Sequence, residues 1–190
     1  MMAENGMHYR KVLWNNIADG NISDVDWKSY NTNVVSVTFN DGIASCEVLD
    51  TSKIRYSAGI VMKTYPPITK NNIYYASYMI NPEYQGSFGV EYAAGQQLSG
   101  TDIQCQANAW IRRSFISNGR NDANGAMYIP FPAGYPEGIT PRFQIKSPIY
   151  INLTAMFGLG NEPTKAEFEH LCEINNIDLT QAFPKDTGTE

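Results

Sequence analysis

Charge, cysteine and histidine are all scarce in this sequence. Of its 190 residues only 17% are charged, three are cysteine and two are histidine. The 14 basic and 19 acidic residues leave a net charge of −5. That is the wrong sign for neutralising a phosphate backbone, so no nucleic-acid partner is expected. A charge of this size is what solubility alone asks for. Cys46, Cys105 and Cys172 are odd in number, far apart and outside any CxxC pair, so they build no disulfide framework. Each has apolar neighbours, which predicts buried free thiols and fits assembly in a reducing cytoplasm. The opening "MMAENGMHYRKVLWNN" lacks the apolar core of a signal peptide. No apolar run approaches the ~18 residues that cross a bilayer as a helix, and no membrane partner is expected.

Catalytic grammar is missing too. There is no HExxH, P-loop or GxGxxG. His8 falls in an N-terminal arm and His170 on a C-terminal helix, neither beside a nucleophile elbow. Glu83, Glu91 and Glu137 have no context that pairs them for glycoside hydrolysis. The expectation is a protein that is not an enzyme. Gly158-Leu159-Gly160 precedes a helix, as an anion site would, but Glu162 would repel a phosphate there and a tight turn is the better reading.

What is present is aromatic and β-forming. Aromatics make up 12% of the chain, and 12 residues are tyrosine. In "VVSVTFNDGIASCEV" Val35, Val37 and Phe39 alternate with Ser36 and Thr38, Asn40-Asp41-Gly42 turns, and Ile43 to Val48 returns. This predicts a hairpin with the three apolar residues on the core side. Further strands are read in "AGIVMKTY", stopped by Pro66-Pro67, in the two-faced "NIYYASYMI", and in "GSFGVEYAA". "IQCQANAWIRRSFIS" reads as one long strand or two. "AMYIPFPA" reads as an edge, and "RFQIKSPIYINL" has a bulge or edge at Pro148. The pattern predicts a mainly β protein, a two-sheet antiparallel β-sandwich of jelly-roll type with one short C-terminal α-helix.

The oxygen-rich stretch before Trp27 has a second reading. Asp19, Asp24 and Asp26 carry ligand atoms of the kind calcium takes, though not at EF-hand spacing. Asx-turns account for the same residues. No cofactor is expected, with calcium at these three aspartates as the alternative.

The most ordered stretch is "INLTAMFGLGNEPTKAEFEHLC", Ile151 to Cys172. "YINLTAMF" begins as a strand, and Gly158 and Gly160 break it. Thr164 and Glu167 then have capping-box spacing, with Pro163 and Phe168 placed for a hydrophobic staple. Phe168, Leu171 and Cys172 share one helical face. A second phrase, "IDLTQAF" from Ile177, repeats the outline of "INLTAMF" and reads as a short strand.

This stretch, with Gly158, Gly160, Asn161, Glu162, Pro163, Thr164, Glu167 and Phe168 in place, resembles the "DLTxMFGxGNEPTxxEFE" closing segment of phage minor structural proteins of the tail and virion. Asn152 stands where that family usually has Asp. In that family the segment follows a jelly roll similar to carbohydrate-binding modules. Read along the chain, the residues divide into an N-terminal arm at 1–10, a jelly-roll sandwich at 11–160, a closing helix and short strand at 161–183 and a polar tail at 184–190. The resemblance implies a virion location after assembly in the host cytoplasm. Partners would be other virion proteins and further copies of the chain.

Function is then read as non-enzymatic virion assembly, as head decoration, fibre or tail component. The alternative is a glycan-binding receptor-recognition module, and a glycan-degrading enzyme is the weakest reading. Glycan contact needs aromatic faces with amides and acids beside them. Tyr75, Tyr84, Tyr92, Tyr128 and Tyr135 are the candidates, with host-surface glycan as the ligand. Trp27 and Trp110 are expected in the core, where such jelly rolls bury an aromatic.

Overall fold

The computed structural model describes residues 27–29, 33–51, 59–88, 92–93, 96–97, 103–120, 123–130 and 138–180. The arm at 1–10, the three aspartates considered for calcium, Tyr135 and the tail at 184–190 lie outside them. The described strands form an antiparallel two-sheet sandwich. The first sheet runs, in spatial order, β10 (Ile111–Asn118), β5 (Ile73–Pro82), β12 (Arg142–Asn152), β3 (Ile43–Val48) and β2 (Val35–Asn40). The second runs β1 (Trp27–Ser29), β4 (Gly59–Ile68), β11 (Ala123–Pro130), β7 (Tyr92–Ala93) and β8 (Gln96–Gln97). β6 (Gly86–Phe88) and β9 (Ile103–Cys105) pair separately.

The expected hairpin is β2–β3. Asn40 pairs with Ile43, and the two residues between them have positive φ, +49° at Asp41 and +74° at Gly42. That is the left-handed geometry of a type I′ turn, whose twist matches the strands it joins. Val35 is buried and Val37 packs on the core, while Ser36 and Thr38 face the other way, into a surface groove. Phe39, near the hairpin tip, is 36% exposed, so the core side ends before it.

Between the sheets Val35, Val48, Tyr78, Ile80 and Phe143 from the first sheet meet Ile68 and Ile129 from the second. Tyr74 stacks on Tyr150 with ring centroids 5.2 Å apart. Its hydroxyl accepts hydrogen bonds from the Thr69 amide and the Asn152 side-chain amide. All three cysteines are buried and free.

Three readings of the strands need correction, and a fourth is narrowed. β4 runs through Pro66-Pro67 rather than stopping there, because its pairing with β11 slips between Thr64 and Ile68, where the prolines need no ladder bond. The strand expected over Gly86–Ala94 is two short pieces in different sheets. β11 is internal, paired to β4 and β7, rather than an edge. β12 is also internal, which leaves the bulge as the role of Pro148.

That bulge sets the architecture. Lys146 pairs with Met79, and the next pair is Ile149 with Ser77, so β12 carries one extra residue between them. Ser147 absorbs it with φ at +50°. The slip reverses the facing of every later residue. Phe143 and Ile145 lie in the inter-sheet core. Beyond the bulge Tyr150 takes the inner position, and Ile149 and Ile151 turn to the outer face.

Two helices cover that apolar outer half. The strand ends at Asn152 rather than running on through "LTAMF". Its side chain accepts a hydrogen bond from the Ala155 amide at 3.0 Å and caps α1, Leu153–Phe157. Gly158 (φ +89°) and Gly160 (φ +82°) make the tight turn. The helix α2, Lys165–Ile174, starts with the expected capping box. The Glu167 amide donates to Thr164 Oγ1, and the Thr164 amide donates to the Glu167 carboxylate at 2.8 Å. Phe168 is fully buried, 4.7 Å from Tyr75 between ring centroids. Ile177 and Leu179, expected on a strand, sit in an irregular segment ending in a turn, with Asp178 accepting from the Thr180 amide. They join the same apolar cluster as Ile151 and Leu153. The repeated phrase thus buries the same apolar pair, held each time by a local Asx hydrogen bond.

The turn is braced by a chain of hydrogen bonds. The Ile73 amide donates to Thr154 Oγ1, which donates to Glu162 at 2.6 Å, and Glu162 also accepts from the Gly160 amide at 2.8 Å. Glu162 therefore ties the turn to the start of β5. The Thr154 hydroxyl and backbone amides hold its carboxyl below the usual range, and the Thr164 amide and hydroxyl do the same for Glu167.

Two predictions follow from the closing helix. By chemical denaturation Phe168→Ala costs about 3–5 kcal/mol of stability, and Thr164→Ala about 0.5–2 kcal/mol. A harmless Phe168→Ala would mean that α2 is not packed on the sheet. Because the folded state depresses Glu162 and Glu167 below their ordinary 4.5, their stabilisation is complete above that pH. It is lost as pH falls through the lower folded values. Denaturation midpoints followed from pH 6 downward should drop in that window, with a shallower drop for Glu162→Gln. An equal drop in the variant would remove Glu162 from the brace.

Candidate functional site

The outer face of the first sheet is split at the bulge. One half lies under α1 and α2. The other half is open, and β2, β3, β12 and β5 each present a polar side chain to it. Strand alternation and pairing build the rows. Thr38 pairs with Ser45, Ser45 with Gln144, and Gln144 with Asn81. Ile111 pairs with Ile80, so Trp110, just before β10, falls beside Asn81. A single row therefore crosses five strands as Thr38, Ser45, Gln144, Asn81 and Trp110. The parallel row is Ser36, Glu47 and Arg142, continued by Glu83, whose amide donates to the Arg142 carbonyl.

The β2, β3, β12 and β5 members of these rows, with Glu83 and Asn108, line a groove of about 320 Å³, floored in part by Cys46 and Phe143, and Trp110 stands at the end of the row outside that lining. That is the lower end of the range for small-ligand sites. Gln144 donates to Ser45 Oγ at 3.4 Å. Arg142 lies 2.8 Å from Glu47 and 3.9 Å from Glu83, all three well exposed. Such surface pairs add little stability, but they fix the orientation of the carboxylates. Hydroxyl, amide and carboxylate groups here both donate and accept. Beyond Gln144 the Lys146 ammonium sits 4.4 Å from the centre of the Trp110 ring, a cation–π contact.

Chemistry beyond binding has little to work with. Glu47 and Glu83 are both tied to one guanidinium. Among the described residues no group of three His, Cys, Asp or Glu side chains could hold a metal. Burial pushes the Cys46 thiol well up, and the Cys172 thiol up to about 12, so neither is a ready nucleophile. His170 is exposed beside Glu173, on the far side of α2.

None of the five tyrosines singled out in the sequence lines the groove. Tyr84 is half-buried at the Arg142 end. Tyr75 is fully buried under α2 and is removed from any ligand surface, because the bulge and closing helix cover its half of the face. Its hydroxyl donates to Glu169 and accepts from Arg112, each at 3.1 Å, and Glu169 also pairs with Arg112 and Lys165. The network pins α2 to β10. Tyr92 and Tyr128 pair with each other across β7 and β11 in the second sheet, not the grooved one. Tyr135 lies outside the described residues. Of the closing-motif residues, Gly158 and Gly160 turn, Asn161 donates to the Gly158 carbonyl, Glu162 braces, Pro163 is half-buried, Thr164 and Glu167 cap, and Phe168 anchors. All serve structure.

Trp110 is the residue the sequence reading misplaced. It is half-exposed on the open face rather than buried in the core. The signal was present: Phe115 and Arg113 are inward, so even positions before them face out. Arg113 is the buried member of the arginine pair and Arg112 the outward one, bound to Glu169.

No protein-family model matches the chain, and no curated protein matches it. Solved structures do. The Paenibacillus barcinonensis Xyn10C xylan-binding domain CBM22-2 is similar at 16% identity, over 72% of this chain and 96% of that one, with a TM-score of 0.46. A BiXyn10A CBM1 structure matches at 14% identity, over 71% and 93%, with a TM-score of 0.48. The N-terminal cellulose-binding domain of Cellulomonas fimi β-1,4-glucanase C matches at 11% identity, over 69% and 91%, with a TM-score of 0.46.

Proposed function

We propose that the chain is a non-catalytic glycan-binding module of a phage structural protein, with its ligand in the groove on the first sheet. The observation that carries this reading is the polar row across four strands, Thr38, Ser45, Gln144 and Asn81, which the register continues onto the Trp110 indole. A sugar offers hydroxyls that donate and accept, and the row meets them with hydroxyls, amides and carboxylates spaced by the strand separation of about 4.8 Å. The phage setting is supported by the resemblance of Ile151 to Leu171 to the closing segment of virion proteins. In that setting the ligand is a host-surface glycan, and the chain sits in the particle after assembly in the host cytoplasm.

Assembly through contacts with other virion proteins is the second reading. The observation that favours it is Leu159, 78% exposed at the tip of a turn that Glu162 and Gly160 hold rigid. In that reading residues 1–10 and 184–190 act as clasps between copies.

Titration calorimetry against host-surface oligosaccharides tests the choice. Gln144→Ala and Asn81→Ala should each weaken binding about tenfold, the 1.4 kcal/mol expected of a lost hydrogen bond or two. No reducing ends should be released from any bound glycan. Binding untouched by both substitutions would place the ligand elsewhere. If removing Met1 to Tyr9 abolishes incorporation into particles and no glycan binds, assembly is the function.

A further inference from the structure

We infer that the open face selects an anionic glycan, one bearing a carboxylate or phosphate, through Lys146 held on the Trp110 ring beside the groove. The inference rests on the reading of the groove as a glycan site and adds the class of glycan.

The two ends of the open face differ in charge. At one end the Arg142 cation faces two carboxylates, Glu47 at 2.8 Å and Glu83 at 3.9 Å. An anion would be repelled there, and neutral hydroxyls suit it. At the other end Lys146 has no carboxylate at ion-pair distance among the described residues. The nearest outward cation in its row, Arg112, is held by Glu169 at 3.1 Å. Across the strand from Lys146 is Met79, which offers no charge.

The indole is what holds the ammonium. It lies 4.4 Å from the ring centre, close enough for the ring quadrupole to attract it, yet the ring carries no net charge to cancel it. The contact therefore restrains a long side chain while leaving its charge unspent. A ligand anion meeting it gains a charge-assisted hydrogen bond and immobilises less side-chain freedom than with a loose lysine. Lys146 and Gln144 stand on the same face of β12, roughly 7 Å apart at the strand rise. A sugar held by Gln144 and Asn81 thus places its substituents, or its neighbour in the oligosaccharide, within reach of the ammonium. The bulge begins at the next residue, Ser147, and ends the open face there. Lys146 is the last outward group of β12 before the bulge, so the anion binds beside the groove, at the covered end of the open face.

The test uses the full chain and three probes of matched length: a neutral β-1,4-xylan hexamer, a hexagalacturonate and a glycerol-phosphate oligomer. At low salt one anionic probe should bind about tenfold or more tighter than the neutral one, and which one it is separates carboxylate from phosphate. The preference should shrink steeply with added salt. It should vanish in Lys146→Gln and reverse in Lys146→Glu, while Lys70→Gln, at the opposite end of β5, keeps it. Thermal melts of each variant check that the fold is intact. Equal affinity for neutral and anionic probes, or a preference that survives Lys146→Gln, overturns the inference and leaves the groove as a glycan site. Failure of all three probes to bind overturns both.

Discussion

One extra residue in one strand decides what this surface is for. Without the slip at Ser147, odd positions of β12 would stay inward along its length, and Ile149 and Ile151 would follow Phe143 and Ile145 into the core. With it, Tyr150 fills the inner position against Tyr74, and the isoleucines face out. The outer face of one sheet then has an apolar half that must be covered and a polar half that need not be. The closing helices answer the first requirement. The groove lies on the polar half, lined by residues of β2, β3, β5 and β12.

The cover is locked at two places by different means. At the turn, buried-backbone logic dominates: the Ile73 amide, at the start of a strand, finds its acceptor in Thr154, and Glu162 completes the chain. An unmet amide at that place would cost about 1–3 kcal/mol, so the hydroxyl of Thr154 and the carboxylate of Glu162 serve as one unit. At the helix, apolar packing dominates. Phe168 fills the space over Tyr75, and Glu169 closes the edge by collecting Arg112, Lys165 and the Tyr75 hydroxyl. The dense grammar of the closing segment is therefore the grammar of a lid. The groove lies on the other half of the same face, on residues with no motif at all.

Local chemistry was legible in the sequence. Asp41-Gly42 announced its turn, Thr164 and Glu167 their capping box, and the scattered cysteines their burial, because each signal is complete within a few residues. The sandwich class followed from alternation and turn spacing. What could not be read was anything that depends on register between distant strands. Thr38, Ser45, Asn81, Trp110 and Gln144 have no pattern in the chain and become a row only when five strands align. Tyr75 misled because β5 is buried on both faces over most of its length, so alternation alone cannot say which side is covered. The start of α1 was hidden for a related reason: "INLT" continues a strand pattern, and only the Asn152 cap turns it into a helix.

The central claim is that ligand binding belongs to the open half of the outer face and not to the covered half or to the second sheet. Amide chemical-shift mapping during titration with a bound oligosaccharide tests it most directly. The expected perturbations fall on residues 36–38, 45–47, 81–83, 108–112 and 142–146, with the Trp110 indole N–H among the largest. Perturbations gathered on α2, or on β4 and β11 of the second sheet, with residues 142–146 unmoved, would contradict it.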